Sequence, residues 1–131
     1  VLLAEDNPVN QRIAVAMLSR LGCEVTVAED GLAAVEAFRA RRFDVVFMDC
    51  QMPHLDGLQA TARLRAIEAA RGGLRTPILA MTASASAEDR QRYLEAGMDG
   101  LLPKPVRVAD LAGALERWLG EEGLPSAPLS A

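Results

Sequence analysis

An α/β fold built on a doubly wound, five-stranded parallel sheet with five helices is predicted for this chain, and three observations predict it. Short apolar runs and helix-period stretches alternate five times along the 131 residues. The run Val45 to Met48 is continuously apolar, as expected of a strand covered on both faces. Polar, chemistry-bearing residues come directly after the apolar runs, where open parallel sheets place their ligand sites.

Each element has its own signal. Val1 to Ala4 reads as a buried strand, and Asn7-Pro8 as an N-cap followed by proline at the first helical position. Val9, Ile13, Met17 and Leu21 recur at helical spacing, and Gly22 ends that helix. Glu24 to Val27 alternates and reads as an edge strand. Asp30-Gly31 is a turn, and Leu32, Val35 and Phe38 line a second helix. Strand three is Val45 to Met48. A loop with Pro53 and Gly57 comes next, then a helix from Leu58 to Arg71, capped by Asp56 and stopped by Gly72-Gly73. Pro77 to Met81 is strand four. Ser86 caps a fourth helix with Glu88 and Asp89 in its first turn, where acids suit the helix dipole. Gly100 to Leu102 is a short fifth strand, and Val108, Leu111, Leu115 and Leu119 line a fifth helix. Residues 1–119 are thus expected to form one domain, and 120–131, without periodicity, a linker or tail. The abrupt start inside an apolar run is what a piece of a longer protein would show.

Composition excludes several classes. Half of the residues are hydrophobic and 24% are charged, as in a globular domain. No apolar run reaches the ~18–20 residues of a membrane span, and no signal peptide is visible, so direct membrane contact is not expected. A net charge of −4 with mixed signs argues against nucleic acid, and one Trp and one Tyr leave no stacking platform. Cys23 and Cys50 fit no metal spacing. With strands two and three flanking strand one, they would lie ~9–10 Å apart, beyond the ~7 Å limit for a disulfide. Of the 14 basic residues only Lys104 is a lysine, which suits a place needing a compact ammonium rather than a planar fork.

The residues after the strands converge. Strand one leads into Glu5-Asp6, strand three into Asp49, strand four into Thr82, and strand five into Lys104-Pro105. Ala28-Glu29-Asp30 after strand two reads as turn chemistry. Three carboxylates brought together repel one another and need a cation. Oxygen donors with few protein ligands suit Mg2+, which keeps waters and leaves room for a phosphate. Asp49 can then act as a carboxylate nucleophile, with Lys104 neutralising the transferring oxygens and Thr82 donating a hydrogen bond. Taken singly, each residue has a plain reading: an Asp at a strand end caps a helix, and a Thr or Lys is surface. The joint pattern carries the inference.

The segments Val1-Leu2-Leu3-Ala4-Glu5-Asp6-Asn7, Met48 through Gly57, Ala80-Met81-Thr82-Ala83 and Lys104-Pro105 resemble the response-regulator receiver domain, from Val1 to about Leu119. The resemblance implies a flavodoxin-like sheet in the order 2-1-3-4-5. It implies Asp49 as phosphoacceptor, Asp6 as a direct Mg2+ ligand with Glu5 acting through water, and the backbone carbonyl of Gln51 as a further ligand. It implies contact of Thr82 and Lys104 with the phosphoryl group, and a cis Lys104-Pro105 bond. The phosphoryl donor would be a phosphohistidine on a histidine kinase or a histidine phosphotransfer protein. The domain by itself would not be an enzyme beyond its own phosphorylation and dephosphorylation, and would be a cytoplasmic monomer or weak dimer. Asn7 to Gln11 and Met48 to Pro53 further resemble receivers of hybrid sensor histidine kinases, and the short Pro-containing tail after Leu119 is expected to carry no effector domain. A stand-alone single-domain regulator is the alternative.

Departures from the family pattern and competing readings also matter. Leu101 stands three residues before Lys104, where many members of the family carry an aromatic switch residue. Gln51 and Ser84 occupy positions that tune dephosphorylation, and His54, the sole histidine, reads as a loop residue rather than a phosphate donor. A phosphatase with an Asp nucleophile needs a second acid two residues on, and Gln51 cannot serve. A flavin-binding domain of the same architecture needs a phosphate loop after strand one and stacking aromatics after strands three and four, and the sequence has neither. A non-phosphorylated pseudo-receiver, an interaction module, would have lost one of the acids or the lysine, and all are present.

Overall fold

Residue parity sorts the sheet into two faces. The computed structural model describes residues 1–50, 52, 55–73, 75–83 and 86–123. Its strands are β1 (Leu2–Ala4), β2 (Thr26–Ala28), β3 (Val46–Asp49), β4 (Ile78–Thr82) and β5 (Gly100–Pro103). They pair in parallel in the order β2-β1-β3-β4-β5. Side chains alternate along a strand. Accordingly Leu2, Ala4, Val46, Met48, Ile78 and Ala80 enter one buried cluster, while Leu3, Phe47, Leu79 and Met81 enter another. Both faces are covered, which is why β3 and β4 are buried throughout.

The five helices are α1 (Pro8–Arg20), α2 (Gly31–Ala40), α3 (Gly57–Arg71), α4 (Ala87–Ala96) and α5 (Val108–Gly123). From α2 come Ala34, Val35 and Phe38, and from α3 Ala60 and Leu64, all packed on the first face. From α1 comes Leu18, and from α5 Leu111, Ala114 and Leu115, packed on the second. Local chemistry sets the helix starts. The Asn7 side chain accepts from the Val9 and Asn10 amides with Pro8 in the first turn. Asp30 and Ser86 cap α2 and α4, and Asp56 with Gln59 forms a full capping box on α3. Gly72, in the left-handed region at φ 71°, ends α3.

The structure corrects several expected details. The apolar series on α1 is only partly buried: Val9 and Ile13 are 53% and 49% exposed. A step of four residues overshoots a 3.6-residue turn by about 40°, so a four-member series sweeps off the sheet-facing stripe, which runs instead through Ala14, Val15 and Leu18. Leu32 and Val108, each in the first turn of its helix, are also exposed. The second strand is Thr26–Ala28 rather than Glu24 to Val27, and it is an edge strand paired only with β1. Finally, α5 runs on to Gly123, past the boundary expected at Leu119. The tail beyond it lies outside the described residues. Cys23 and Cys50 are free thiols.

Candidate functional site

The carboxyl ends of β1, β3, β4 and β5 bring the predicted side chains together. Asp49 is the last residue of β3 and Thr82 the last of β4. Their backbones are tied across the sheet, Cys50 N donating to Met81 O at 3.2 Å and Lys104 N to Thr82 O at 2.8 Å. Glu5 and Asp6 leave β1 just before the Asn7 cap. Lys104 comes directly after β5, and its bond to Pro105 is cis.

Lys104 reaches in as the cation of the site. Its Nζ lies 2.8 Å from Asp49 Oδ1 and 3.9 Å from Glu5 Oε1. Asp49 and Glu5 are 2% and 3% exposed, whereas Asp6 is open to solvent. One carboxylate oxygen from each of Glu5, Asp6 and Asp49 lies within 4.8 Å of the others. Glu5 is further held by the Asn7 amide, which donates to Oε2 at 3.1 Å, and its backbone carbonyl accepts from Gln11 Nε2 at 2.6 Å.

The charge balance is uneven. Three carboxylates face one ammonium, and burial pushes the Glu5 carboxyl up to about 7; its hydrogen bond and charge contact with Asp49 push the same way, while the Asn7 amide and Lys104 oppose. A buried carboxyl whose pKa is raised beside two other acids is the mark of a site short of positive charge. Hard oxygen donors at this spacing fit a divalent cation such as Mg2+.

Thr82 is buried, and its Oγ1 lies 3.0 Å from the phenolic oxygen of Tyr93 on α4. Cys50 hydrogen-bonds with the same phenol, and burial pushes its thiol up to about 11, so it is no nucleophile at neutral pH. Asp6, Cys50, Thr82 and Tyr93 line a crevice of about 580 Å3 that opens from the strand ends. Tyr93 was missed in the sequence. The helix Ala87–Ala96 carries two large apolar side chains, Tyr93 and Leu94, of which only Tyr93 is buried, so the local sequence did not single it out. Gln51, Pro53, His54 and Ser84, to which roles or loop positions were assigned, lie outside the described residues.

Comparison with known proteins places this geometry. Residues 1–116 match the family model described as "Response regulator receiver domain". The chain is 43% identical over 120 residues to sensor protein GacS of Pseudomonas syringae pv. syringae, covering 92% of this chain but only 13% of that protein. Among solved structures it is similar to the receiver domain of sensor histidine kinase PA1611 from Pseudomonas aeruginosa PAO1. That match has a TM-score of 0.82 at 48% identity and covers 92% of this chain and 96% of that one; the PA1611 domain holds a magnesium ion coordinated in its active-site cleft. It is also similar to the receiver domain of Ssk1 from Saccharomyces cerevisiae, solved with the histidine phosphotransfer protein Ypd1. Here the TM-score is 0.88 at 29% identity, over 96% of this chain and 92% of that chain.

Proposed function

The chain belongs to the response regulator receiver domain family, and from that premise we propose that Asp49 takes a phosphoryl group from a phosphohistidine in a two-component phosphorelay. The observation that carries the reading is the 2.8 Å contact of Lys104 Nζ with Asp49 Oδ1, in a crevice where Glu5 and Asp6 add carboxylate oxygens within 4.8 Å. Nucleophile, charge-neutralising ammonium and cation donors share one place.

In the step itself, an Asp49 carboxylate oxygen attacks phosphorus in line. An O–P bond forms as the P–N bond of the phosphohistidine breaks, and the imidazole nitrogen leaves with the electron pair. Lys104 balances charge on the transferring oxygens, and Thr82 Oγ1 donates a hydrogen bond to one of them. Asp6 and Asp49 would hold Mg2+ with Glu5 through water and the Gln51 carbonyl. When bound, that ion supplies charge neutralisation for the phosphoryl oxygens. Outside this self-directed chemistry the domain has no substrate of its own.

The partner is a histidine kinase or a histidine phosphotransfer protein, consistent with the Ypd1 complex of the similar Ssk1 receiver. The parent is a hybrid sensor histidine kinase, as GacS-like relatives suggest, with this domain in the cytoplasm whether or not the parent is anchored. Among the described residues no helix is long and apolar enough to cross a membrane.

Intact mass after incubation with acetyl phosphate tests the reading, with Mg2+ or with EDTA, on wild type and Asp49→Ala. One added phosphoryl group that needs Mg2+ and disappears in the variant is expected. No adduct in any condition, including with a phosphorylated histidine phosphotransfer protein, would leave the chain a non-phosphorylated interaction module.

A further inference from the structure

Tyr93 stands between the strand-end crevice and a second cavity on the far side of α4. It is the buried residue of that helix. Its hydroxyl lies 3.0 Å from Thr82 Oγ1 in a buried contact and hydrogen-bonds with Cys50, the neighbour of Asp49. The same side chain lines both the crevice of Asp6 and Thr82 and a cavity of about 480 Å3 that it shares with Leu101, Arg117 and Trp118. One phenol therefore touches the ends of two strands inside the site and faces the surface between α4, β5 and α5.

The donor inventory makes this contact directional. A threonine hydroxyl carries one proton. It can give that proton to Tyr93 or to a phosphoryl oxygen, but not to both. A phosphoryl group on Asp49 bears full negative charge, and a charge-assisted hydrogen bond is roughly twice as strong as a neutral one. The Thr82 proton therefore goes to the phosphoryl oxygen, and the Tyr93 contact persists only with Tyr93 as donor. Phenol and hydroxyl then point their protons one way, toward the phosphoryl site, and the first polarises the second.

We propose that Tyr93 is a positioning residue for phosphoryl transfer: by donating to Thr82 Oγ1 it turns the Thr82 proton toward the phosphoryl oxygen, and it carries the loaded state of Asp49 onto α4. The proposal rests on Asp49 being the phosphoacceptor. It gives a phenol reaching the site from α4 the part that an aromatic at position 101 has no means to play here, since Leu101 carries no hydroxyl and no ring. A purely structural Tyr93 would fill the same space but would have no reason to sense what binds at Asp49.

Tyr93 is the sole tyrosine of the chain, so 13C at the tyrosine Cζ gives a single NMR signal. The whole chain is compared without ligand, with Mg2+, and with Mg2+ plus beryllium fluoride as a phosphoryl mimic. In parallel, the time course of acetyl phosphate labelling is followed by intact mass on wild type and Tyr93→Phe, with melting temperatures measured for both. The Cζ signal should move with Mg2+ plus beryllium fluoride and not with Mg2+ alone. Tyr93→Phe keeps the ring and its packing, so it should fold and label about three- to tenfold more slowly, the worth of one net hydrogen bond. A Cζ signal that stays put in a protein whose mass shows the Asp49 adduct overturns the proposal and leaves the phosphoacceptor reading standing; so does wild-type labelling by Tyr93→Phe. No adduct on wild type removes the phosphoacceptor reading, and this proposal falls with it.

Discussion

A Cβ placed on Gly57 would lie 2.5 Å from the carbonyl oxygen of Asp49 and 2.9 Å from the Cα of Cys50. The first residue of α3 thus packs directly on the backbone that carries the candidate nucleophile, and the Gly57 amide donates to Cys50 O at 3.3 Å. Neither neighbour is a flexible side-chain end that can swing aside. Gly57→Ala must therefore shift β3 or the start of α3, at a cost of about 1–3 kcal/mol, and with it the Asp49 carboxylate. The expected result is a lowered urea midpoint together with weaker Mg2+ binding by calorimetry. Gly113 is the control. It lies inside α5 with open space where its Cβ would go, so Gly113→Ala should raise stability by up to about 1 kcal/mol through helix propensity.

Lys104→Met separates the two cations of the site. The ammonium and a divalent ion compete for the same carboxylates, since Lys104 Nζ lies 2.8 Å from Asp49 and 3.9 Å from Glu5. Removing the ammonium lifts that competition, so Mg2+ should bind at least as tightly as to wild type. Labelling by acetyl phosphate should nevertheless fall by about a hundredfold, because charge on the transferring oxygens loses a preorganised partner. Calorimetry for the ion and intact mass for the adduct check the two limbs. Both falling together would mean that Lys104 holds the fold of the site rather than the charge of the reaction.

The strand ends were legible because β1, β3 and β4 are short and buried on both faces, so apolar runs stop where the chemistry begins: Ala4 before Glu5, Met48 before Asp49, Met81 before Thr82. The two-face core came from the same runs, and parity then sorted Phe47 from Met48. Helix positions were less legible. A spacing of four marks a helix but not which stripe meets the sheet, and on α1 the sheet selects Leu18 and leaves Ile13 outside. The end of α5 was hidden because Gly120 reads as a stop, although the helix continues to Gly123. Tyr93 was hidden for another reason. Its partner Thr82 is 11 residues away in sequence, and contact between a strand end and the middle of the next helix leaves no local spacing pattern.

Arg65 is the centre of a polar network at the opposite end of β4. Its Nε donates to Gly97 O at 2.9 Å. One terminal nitrogen serves Glu68 Oε1 at 2.7 Å and Thr76 O at 2.8 Å, and the other serves Asp99 Oδ2 at 2.6 Å. Asp99 in turn accepts from the Ile78 amide at 2.9 Å, so the network pins the start of β4 to α3 and to the loop before β5. Arg65→Ala strands two largely buried carboxylates. Breaking a buried pair costs ~3–5 kcal/mol. Arg75 still pairs with Asp99 at 2.9 Å, so roughly 2–3 kcal/mol is expected here, read as a fall in the denaturation midpoint with Mg2+ affinity unchanged, because the site lies at the other end of the sheet.

Glu68 gives the same network a pH dependence of definite sign. Burial alone would raise its pKa, but the Thr76 amide, donating at 2.6 Å, and the Arg65 guanidinium outweigh burial and hold the carboxyl below its ordinary value of 4.5. A carboxyl with a depressed folded-state pKa binds fewer protons folded than unfolded. Its contribution is therefore complete above pH 4.5 and is lost as pH falls through the folded value. Glu68→Gln removes this titration while keeping an acceptor for the Thr76 amide. At pH 7 the variant should be less stable than wild type by about 2 kcal/mol, the worth of hydrogen bonds to a charged group. Below pH 4.5 the two urea midpoints should converge. A gap that stays constant from pH 7 to pH 3 would assign the loss to packing of the side chain, since only an ionised carboxylate makes the difference depend on protons.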